Sequence, residues 1–354
     1  MIVSDTGAAA PYGEKVRRGL EVAHDELAAA GGFGARVRLL YRDDATNPDV
    51  GLQVARELID REGARLLIGA VSSPVTLRIA PLCQASRTLL LSPTSSSSAI
   101  TPAGDWIYRN YPSDTLEGTS LADFARDLGL RRVVVLAVQN EFGAGLSKVF
   151  AERFQGDTRR VVRSLAYREG DVDRFPPLAE QLRALSPDVV YVAGYADDTV
   201  GILRALRNAG VRAIALGTSS MTAEAVRRAG PAAEGLVFPE TSFDPQSLRP
   251  ATRRFVADYR ARFHEDPDPF AAHAYDALKL LAFAMEREGS PDPESVRRGL
   301  DAIEDYSGAS GPVAFDENGD VVQYPRLFIV HHGHAEPYDR FVEEGGTLPL
   351  TTAN

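Results

Sequence analysis

VRLLYRD at residues 37–43, ARLLIGA at 64–70 and TLLLSP at 88–93 are three short apolar runs, and the stretches between them, 49–62 and 75–86, repeat their apolar residues at a helical interval. Strand-length runs alternating with amphipathic helices are the mark of βαβ units, which build parallel sheets covered by helices. The pattern extends outward on both sides. An amphipathic stretch at 14–30 precedes it, and a short strand, WIYRN at 106–110, follows. Ile2 and Val3 read as the end of a strand whose beginning is missing. PSDTLEG, from residue 112, is a helix entry with Ser113 or Asp114 as its N-cap.

The same rhythm then restarts. RRVVVLAV (131–138), RVVRSLAY (160–167), DVVYVAG (188–194), RAIALG (212–217) and GLVFPE (235–240) are the strands, with helices expected at 142–154, 174–185, 197–209 and 222–229. Two consecutive α/β units follow, as the length of 354 residues also suggests, since single cores seldom grow that large. Long helical patterns at 247–264, 269–288 and 293–303 come next, then PVAFDENGDV (312–321) and YPRLFIVHHG (324–333). DENGD reads as a turn between two strands, with Asn318 and Gly319 supplying positive φ angles. No Pro- or Ser-rich linker separates the units, so short, defined crossings are expected near 238–243 and 321–324.

Composition narrows the function. A net charge of −10 and a pI near 5.2 argue against a surface built for nucleic acid or anionic lipid. The basic doublets Arg17-Arg18, Arg131-Arg132, Arg159-Arg160 and Arg253-Arg254 are dispersed and read as solvated element ends. Cys83, the single cysteine, excludes an intramolecular disulfide and reads as buried packing. No apolar run has transmembrane length, so no direct membrane insertion is expected, and the first residues lack the regions of a signal peptide. No dinucleotide fingerprint, P-loop, nucleophile elbow or CxxC pair is present, so neither an enzyme activity nor a cofactor is expected. HHGH (331–334) has metal-capable residues, but strand alternation would send His331 and His332 to opposite faces; they read as exposed strand-end histidines, and no metal site is expected.

Two segments fit a polar ligand. GAVSSPVTLRIAPL puts Ser72 and Ser73 where a strand ends and a helix begins. There the unpaired amides of a helix N-terminus can seat a carboxylate, or either serine can simply cap the helix. SPTSSSSAIT (92–101) also follows a strand, on the side where open α/β sheets bind ligands, although four successive serines also suit a solvated loop. Tyr12 and Tyr195 sit beside turn-forming residues and suit a cleft edge; Phe142 and Phe270 also suit a core. His273 shares a helix face with Phe270 and reads as packed.

The order of TGAAAPYGEKVRRGLEVAHDELAAAGGFG (6–34), YRDDATNP (41–48), IGAVSSPVT (68–76), LSPTSSS (91–97), YRNYPSDTLEG (108–118), FGAGL (142–146), PDVVYVAGY (187–195), AAEGLVF (232–238), AAHAYDALKLLA (271–282) and GPVAFDENGDV (311–321) resembles the type I periplasmic binding proteins of the Leu/Ile/Val-binding class. The resemblance implies an α/β fold of two Rossmann-like lobes, residues 1–112 with 242–322 and 113–241 with 323–354, joined by a three-crossing hinge with the ligand cleft between them. It implies that Ser73 and Ser96 hold a ligand carboxylate, that the Thr94 carbonyl takes its amine, and that Ser95 lines the pocket between them. Tyr12, Phe142, Tyr195 and Phe270 match the aromatic pocket positions.

One departure stands out. Ser219, in GTSS (217–220), occupies the position of the family's amine-binding acid, so either Asp197, Asp198 or Glu141 substitutes or the ligand lacks an amine. The function implied is extracytoplasmic capture of an amino acid, an amide or urea-like compound or a small carboxylate by a monomer that hands it to the membrane permease of an ABC importer, its signal peptide removed. A ligand-sensing domain of a receptor or regulator is the alternative on the same fold.

Overall fold

The computed structural model describes residues 1–241 and 243–348. Two compact units divide the chain: Met1–Ser113 with Thr241–Tyr324, and Asp114–Glu240 with Pro325–Asn354. The chain passes from one unit to the other three times. Ser113, Thr241, Gln323 and Tyr324 thus fall in unit 1 and not in the lobe expected for them. Residues 242 and 349–354 of the expected lobes lie outside the described residues.

Unit 1 opens with β1 (Ile2–Val3), α1 (Ala10–Ala30), β2 (Arg42–Asp43), α2 (Pro48–Arg56), β3 (Leu66–Ile68), α3 (Ser73–Ser86), β4 (Leu89–Ser92) and β5 (Ile107–Arg109). β1 pairs with β2, and β3, β4 and β5 form a three-stranded sheet; every pairing is parallel, as βαβ connections require. The strand expected over 37–43 is corrected. Only Arg42 and Asp43 find ladder partners, in Ile2 and Val3, while Val37, Leu39 and Tyr41 pack half-buried against the core.

Unit 2 follows with α4 (Asp114–Asp127), β6 (Arg132–Val138), α5 (Glu141–Phe154), β7 (Arg160–Tyr167), α6 (Phe175–Leu185), β8 (Val189–Ala193), α7 (Ala196–Asn208), β9 (Ile214–Leu216), α8 (Ala223–Ala229) and β10 (Val237–Glu240). Back in unit 1 come α9 (Pro250–Phe263), α10 (Pro269–Glu288), α11 (Pro293–Asp301), β11 (Tyr306–Ser307) and β12 (Pro312–Val313). β13 (Arg326–His331), β14 (His334–Pro337) and α12 (Tyr338–Glu343) end unit 2. Its sheet runs β14-β13-β10-β9-β8-β6-β7, parallel from β10 to β7 and antiparallel at the β13 and β14 edge.

The DENGD reading is also corrected. β12 pairs with β11, and β13 pairs with β10 and β14, so the strands flanking the turn do not pair with each other. The turn closes a single bridge, Phe315 to Val321, and of its two central residues only Gly319 has a positive φ (+77°). Asp316 Oδ1 takes the amides of Asn318 and Asp320 instead (2.9 Å each), which holds the turn without a left-handed Asn318.

α1 and α10 lie side by side under the apolar core of unit 1, and Gly19 makes the approach possible: a Cβ there would sit 2.0 Å from the carbonyl oxygen of Ala271. Gly19→Val is expected to lower the unfolding free energy by about 1–3 kcal/mol in urea titrations. Ala28→Lys, on the exposed side of the same helix, is expected to stay within about 0.5 kcal/mol of the parent.

Candidate functional site

In unit 1 the polar residues gather where β3 and β4 end. α3 begins at Ser73, with Ser72 at the N-cap position in extended backbone (φ −100°, ψ 142°). Neither bland capping reading holds. Ser72 makes no side-chain capping bond, and its Oγ is buried with no hydrogen-bond partner among the described residues. Ser73 Oγ instead accepts the amides of Ser96 (3.2 Å) and Ser97 (3.1 Å), which joins the helix start to the serine loop. A hydroxyl oxygen that accepts twice has its proton left to donate.

The loop is shaped from below by Arg109, at the end of β5, whose side chain is wholly buried. All five of its N–H donors are used. Nε and Nη2 grip Asp320 (2.6 Å each), Nη1 serves the carbonyls of Ser96 and Ser97 (2.7 Å each), and Nη2 also reaches Thr101 Oγ1 (2.8 Å). The peptide group between Ser96 and Ser97 therefore accepts from a guanidinium at its oxygen and donates to Ser73 at its nitrogen. Such chains polarise each member, so Ser73 becomes a better donor toward an anion.

Ser95 also acts as a strut within the loop. Its hydroxyl bonds Thr76 Oγ1 (2.8 Å) and the Ala70 carbonyl (3.2 Å), inside the loop's own network. Thr94 spends its hydroxyl on the Val71 carbonyl (2.8 Å), so a role toward a ligand falls to its backbone.

Tyr12 lies within the first turn of α1, not before it. Its ring meets the edge of Phe270 at 4.9 Å, and Phe270 stacks on Tyr111 at 5.9 Å. His273, one turn on, is fully buried and donates from Nδ1 to the Asn110 carbonyl (2.6 Å), while Asn110 Nδ2 returns a bond to the His273 carbonyl (2.7 Å). Burial pushes the imidazole down to about 4, so it is neutral packing that ties α10 to the end of β5.

In unit 2 the loops after β6, β8 and β9 carry the predicted residues. Asn140 caps α5 by accepting the amides of Phe142 and Gly143 (3.1 Å each). Gly143 lets the helix start lie against β6, since a Cβ there would sit 2.2 Å from the Val138 carbonyl oxygen. Phe142 is thereby stacked on Tyr195, with ring centroids 5.1 Å apart and 12° between planes. Asn140 Nδ2 donates to the Tyr195 hydroxyl (3.3 Å).

Ser219 donates its amide to Glu117 Oε1 (3.2 Å). Glu117 and Asp114, one turn apart on α4, are both buried. Burial first, and the charge of Asp114 second, push the Glu117 carboxyl up to about 8. The three acids proposed as substitutes are engaged elsewhere or exposed: Asp197 pairs with Arg228, Asp198 accepts the Gly170 amide (3.0 Å), and Glu141 lies on the surface. Glu117 is thus the acid beside Ser219, and the motif PSDTLEG signals by itself only a helix entry. Its carboxyl reaches a residue 102 positions away, which no local pattern reveals.

The reading of HHGH is corrected as well. His332 adopts a positive φ (+51°) in the β13 to β14 turn, which breaks strand alternation and brings its ring to 3.9 Å from that of His331.

A family model described as "periplasmic binding protein" matches residues 1–332. A leucine-, isoleucine-, valine-, threonine- and alanine-binding protein of Pseudomonas aeruginosa is 26% identical over 335 residues, 94% of this chain and 88% of that protein. Among solved structures, a leucine binding protein of Thermotoga maritima is 29% identical with a TM-score of 0.88, covering 95% of this chain and 96% of the other. An ABC transporter substrate-binding protein of Desulfitobacterium hafniense, solved in complex with Leu, is 27% identical with a TM-score of 0.78, over 91% and 95% of the two chains.

The buried Arg109 and Asp320 pair yields a test of the loop's support. Arg109→Met is expected to destabilise unit 1 by about 3–5 kcal/mol, because it strands a carboxylate. Arg109→Met with Asp320→Asn together is expected to cost clearly less, measured as a double-mutant cycle in chemical denaturation.

Proposed function

The chain belongs to the periplasmic binding protein family, the extracytoplasmic solute-binding components of ABC importers that bind small ligands and work with a permease, and on that premise we propose that its solute is an α-amino acid. The observation that carries this reading is Glu117 beneath the Ser219 amide. An acid from α4 takes the place of the acid missing at position 219, so the amine-free ligands that Ser219 first suggested lose their main support. The carboxylate of the solute falls to unit 1, through the hydroxyls of Ser72, Ser73 and Ser96; its ammonium falls to Glu117 and the Thr94 carbonyl. Phe142, Tyr195, Tyr12 and Phe270 supply apolar contacts for the side chain.

Hinge closure on the solute draws on the difference in affinity between the open and closed states. A shift from 1:99 to 99:1 needs about 5.5 kcal/mol, within reach of several buried charge-assisted hydrogen bonds. The side chains that related proteins are named for, leucine, isoleucine, valine, threonine and alanine, make the first panel of candidate solutes.

Ser73→Ala with Ser96→Ala is expected to abolish amino-acid binding in calorimetric titration while the circular dichroism spectrum stays that of the parent. Unchanged affinity would overturn the assignment of these serines. A pH titration tests the acid. Unliganded, Glu117 holds its proton up to about pH 8; an ammonium partner demands the carboxylate, so binding below that pH expels a proton. Affinity is then expected to rise with pH by up to about tenfold per unit and to level off near that value. Glu117→Gln is expected to flatten this dependence and weaken binding by about 2 kcal/mol or more. If the parent binds the deaminated analogue of its amino acid as tightly as the amino acid itself, the solute needs no ammonium and the reading fails.

A further inference from the structure

We propose that the β13 to β14 turn of unit 2 is a site for a divalent transition-metal ion, with Glu234, His331 and His332 as its protein ligands. One ligand atom from each of these three residues lies within 4.8 Å of the other two. Two imidazoles and a carboxylate, with room for water, are the donor set of open zinc sites, and they favour Zn²⁺, Ni²⁺ or Cu²⁺ over Ca²⁺ or Mg²⁺.

The arrangement is held before any metal arrives. His331 Nδ1 is 2.9 Å from Glu336 Oε1, and a carboxylate can only accept, so Nδ1 carries the hydrogen and Nε2 keeps its lone pair for a metal. A ligating histidine whose second nitrogen donates to a carboxylate is the usual outer-shell support of protein metal sites. The edge of Phe341, a core residue, meets the same ring at 5.0 Å. Glu234 is held by the turn itself, through the amides of His332 (3.0 Å) and Gly333 (3.4 Å). Positive φ at both His332 (+51°) and Gly333 (+78°) makes this a tight two-residue hairpin, and that conformation turns the His332 ring onto its neighbour.

Topology separates this site from the solute-binding residues of unit 2. Glu234 precedes β10, and β13 runs antiparallel to β10. The turn after β13 therefore sits at the end of the sheet where the parallel strands begin, whereas Phe142, Tyr195 and Ser219 follow the ends of β6, β8 and β9. The proposed metal site and these residues therefore lie at opposite ends of the sheet.

The test is calorimetric titration of tag-free protein with Zn²⁺ alone. One equivalent is expected to bind, with Co²⁺ in its place giving the visible absorption of a low-symmetry nitrogen and oxygen site. His331→Ala with His332→Ala is expected to abolish the binding. Glu234→Gln and Glu336→Gln are each expected to weaken it by about tenfold or more. These residues are on or near an exposed turn, and an unchanged melting temperature without metal serves as the folding control. Absence of stoichiometric Zn²⁺ binding, or binding that survives His332→Ala unweakened, overturns the proposal. Neither result depends on the solute, so failure of the amino-acid reading leaves this one standing.

Discussion

A fully buried guanidinium is the constraint on which the serine loop of unit 1 depends. Arg109 is fully buried, and burying that charge is tolerable only because Asp320 neutralises it and the loop carbonyls take its remaining donors. The requirement runs in both directions. Arg109 needs the carbonyls of Ser96 and Ser97 turned inward, and turning them inward points the amides at Ser73. The returning segment is fixed by the same pair: the Arg109 amide donates to the Gly319 carbonyl (3.0 Å) and the Val321 amide to the Arg109 carbonyl (3.0 Å), so Asp320 pairs with Arg109 in a parallel bridge beside β5. A stretch of four serines, which in isolation suits a mobile loop, is thus held in one conformation by a charge it never displays.

The parts of the fold that were legible in the chain are those with local causes. The strands of unit 2 and the helices of both units follow from apolar periodicity, and the structure finds them within a few residues of their expected limits. Strand 37–43 shrank to two residues because a strand exists only where a ladder partner exists, and β1 offers two residues. Asn318 kept a negative φ because Asp316 supplied the turn's hydrogen bonds by another route. His332 went the opposite way, into the left-handed region that histidine visits more readily than most residues, and periodicity reasoning has no means to foresee that.

The site divides along the same line. Ser72, Ser73 and the serine loop were visible because each follows a strand end, the place where α/β sheets present ligand-binding groups. Arg109 and Glu117 both lie in YRNYPSDTLEG, where no local pattern marks them. Arg109 finds its countercharge 211 residues away and Glu117 its amide partner 102 residues away, so these contacts exist only after folding. Ser95 adds a contact that its position alone does not reveal: its hydroxyl bonds Thr76 and the Ala70 carbonyl.

The two units solve opposite electrostatic problems. Unit 1 buries a cation and hands the polarisation outward through neutral peptide groups to a hydroxyl donor, which suits an anionic end of a solute without leaving a bare charge in the empty protein. Unit 2 buries two carboxyl groups one turn apart on α4, and like charges so placed cannot both ionise cheaply. With Glu117 held above the ordinary carboxylate range, the empty unit carries a proton where a bound ammonium would carry the charge. On the proposed reading, exchanging one for the other keeps the net buried charge constant, so an ammonium would displace a proton and would not have to offset an unpaired anion. A residue pair that is awkward for stability alone is therefore consistent with the proposed role of Glu117 toward an ammonium group.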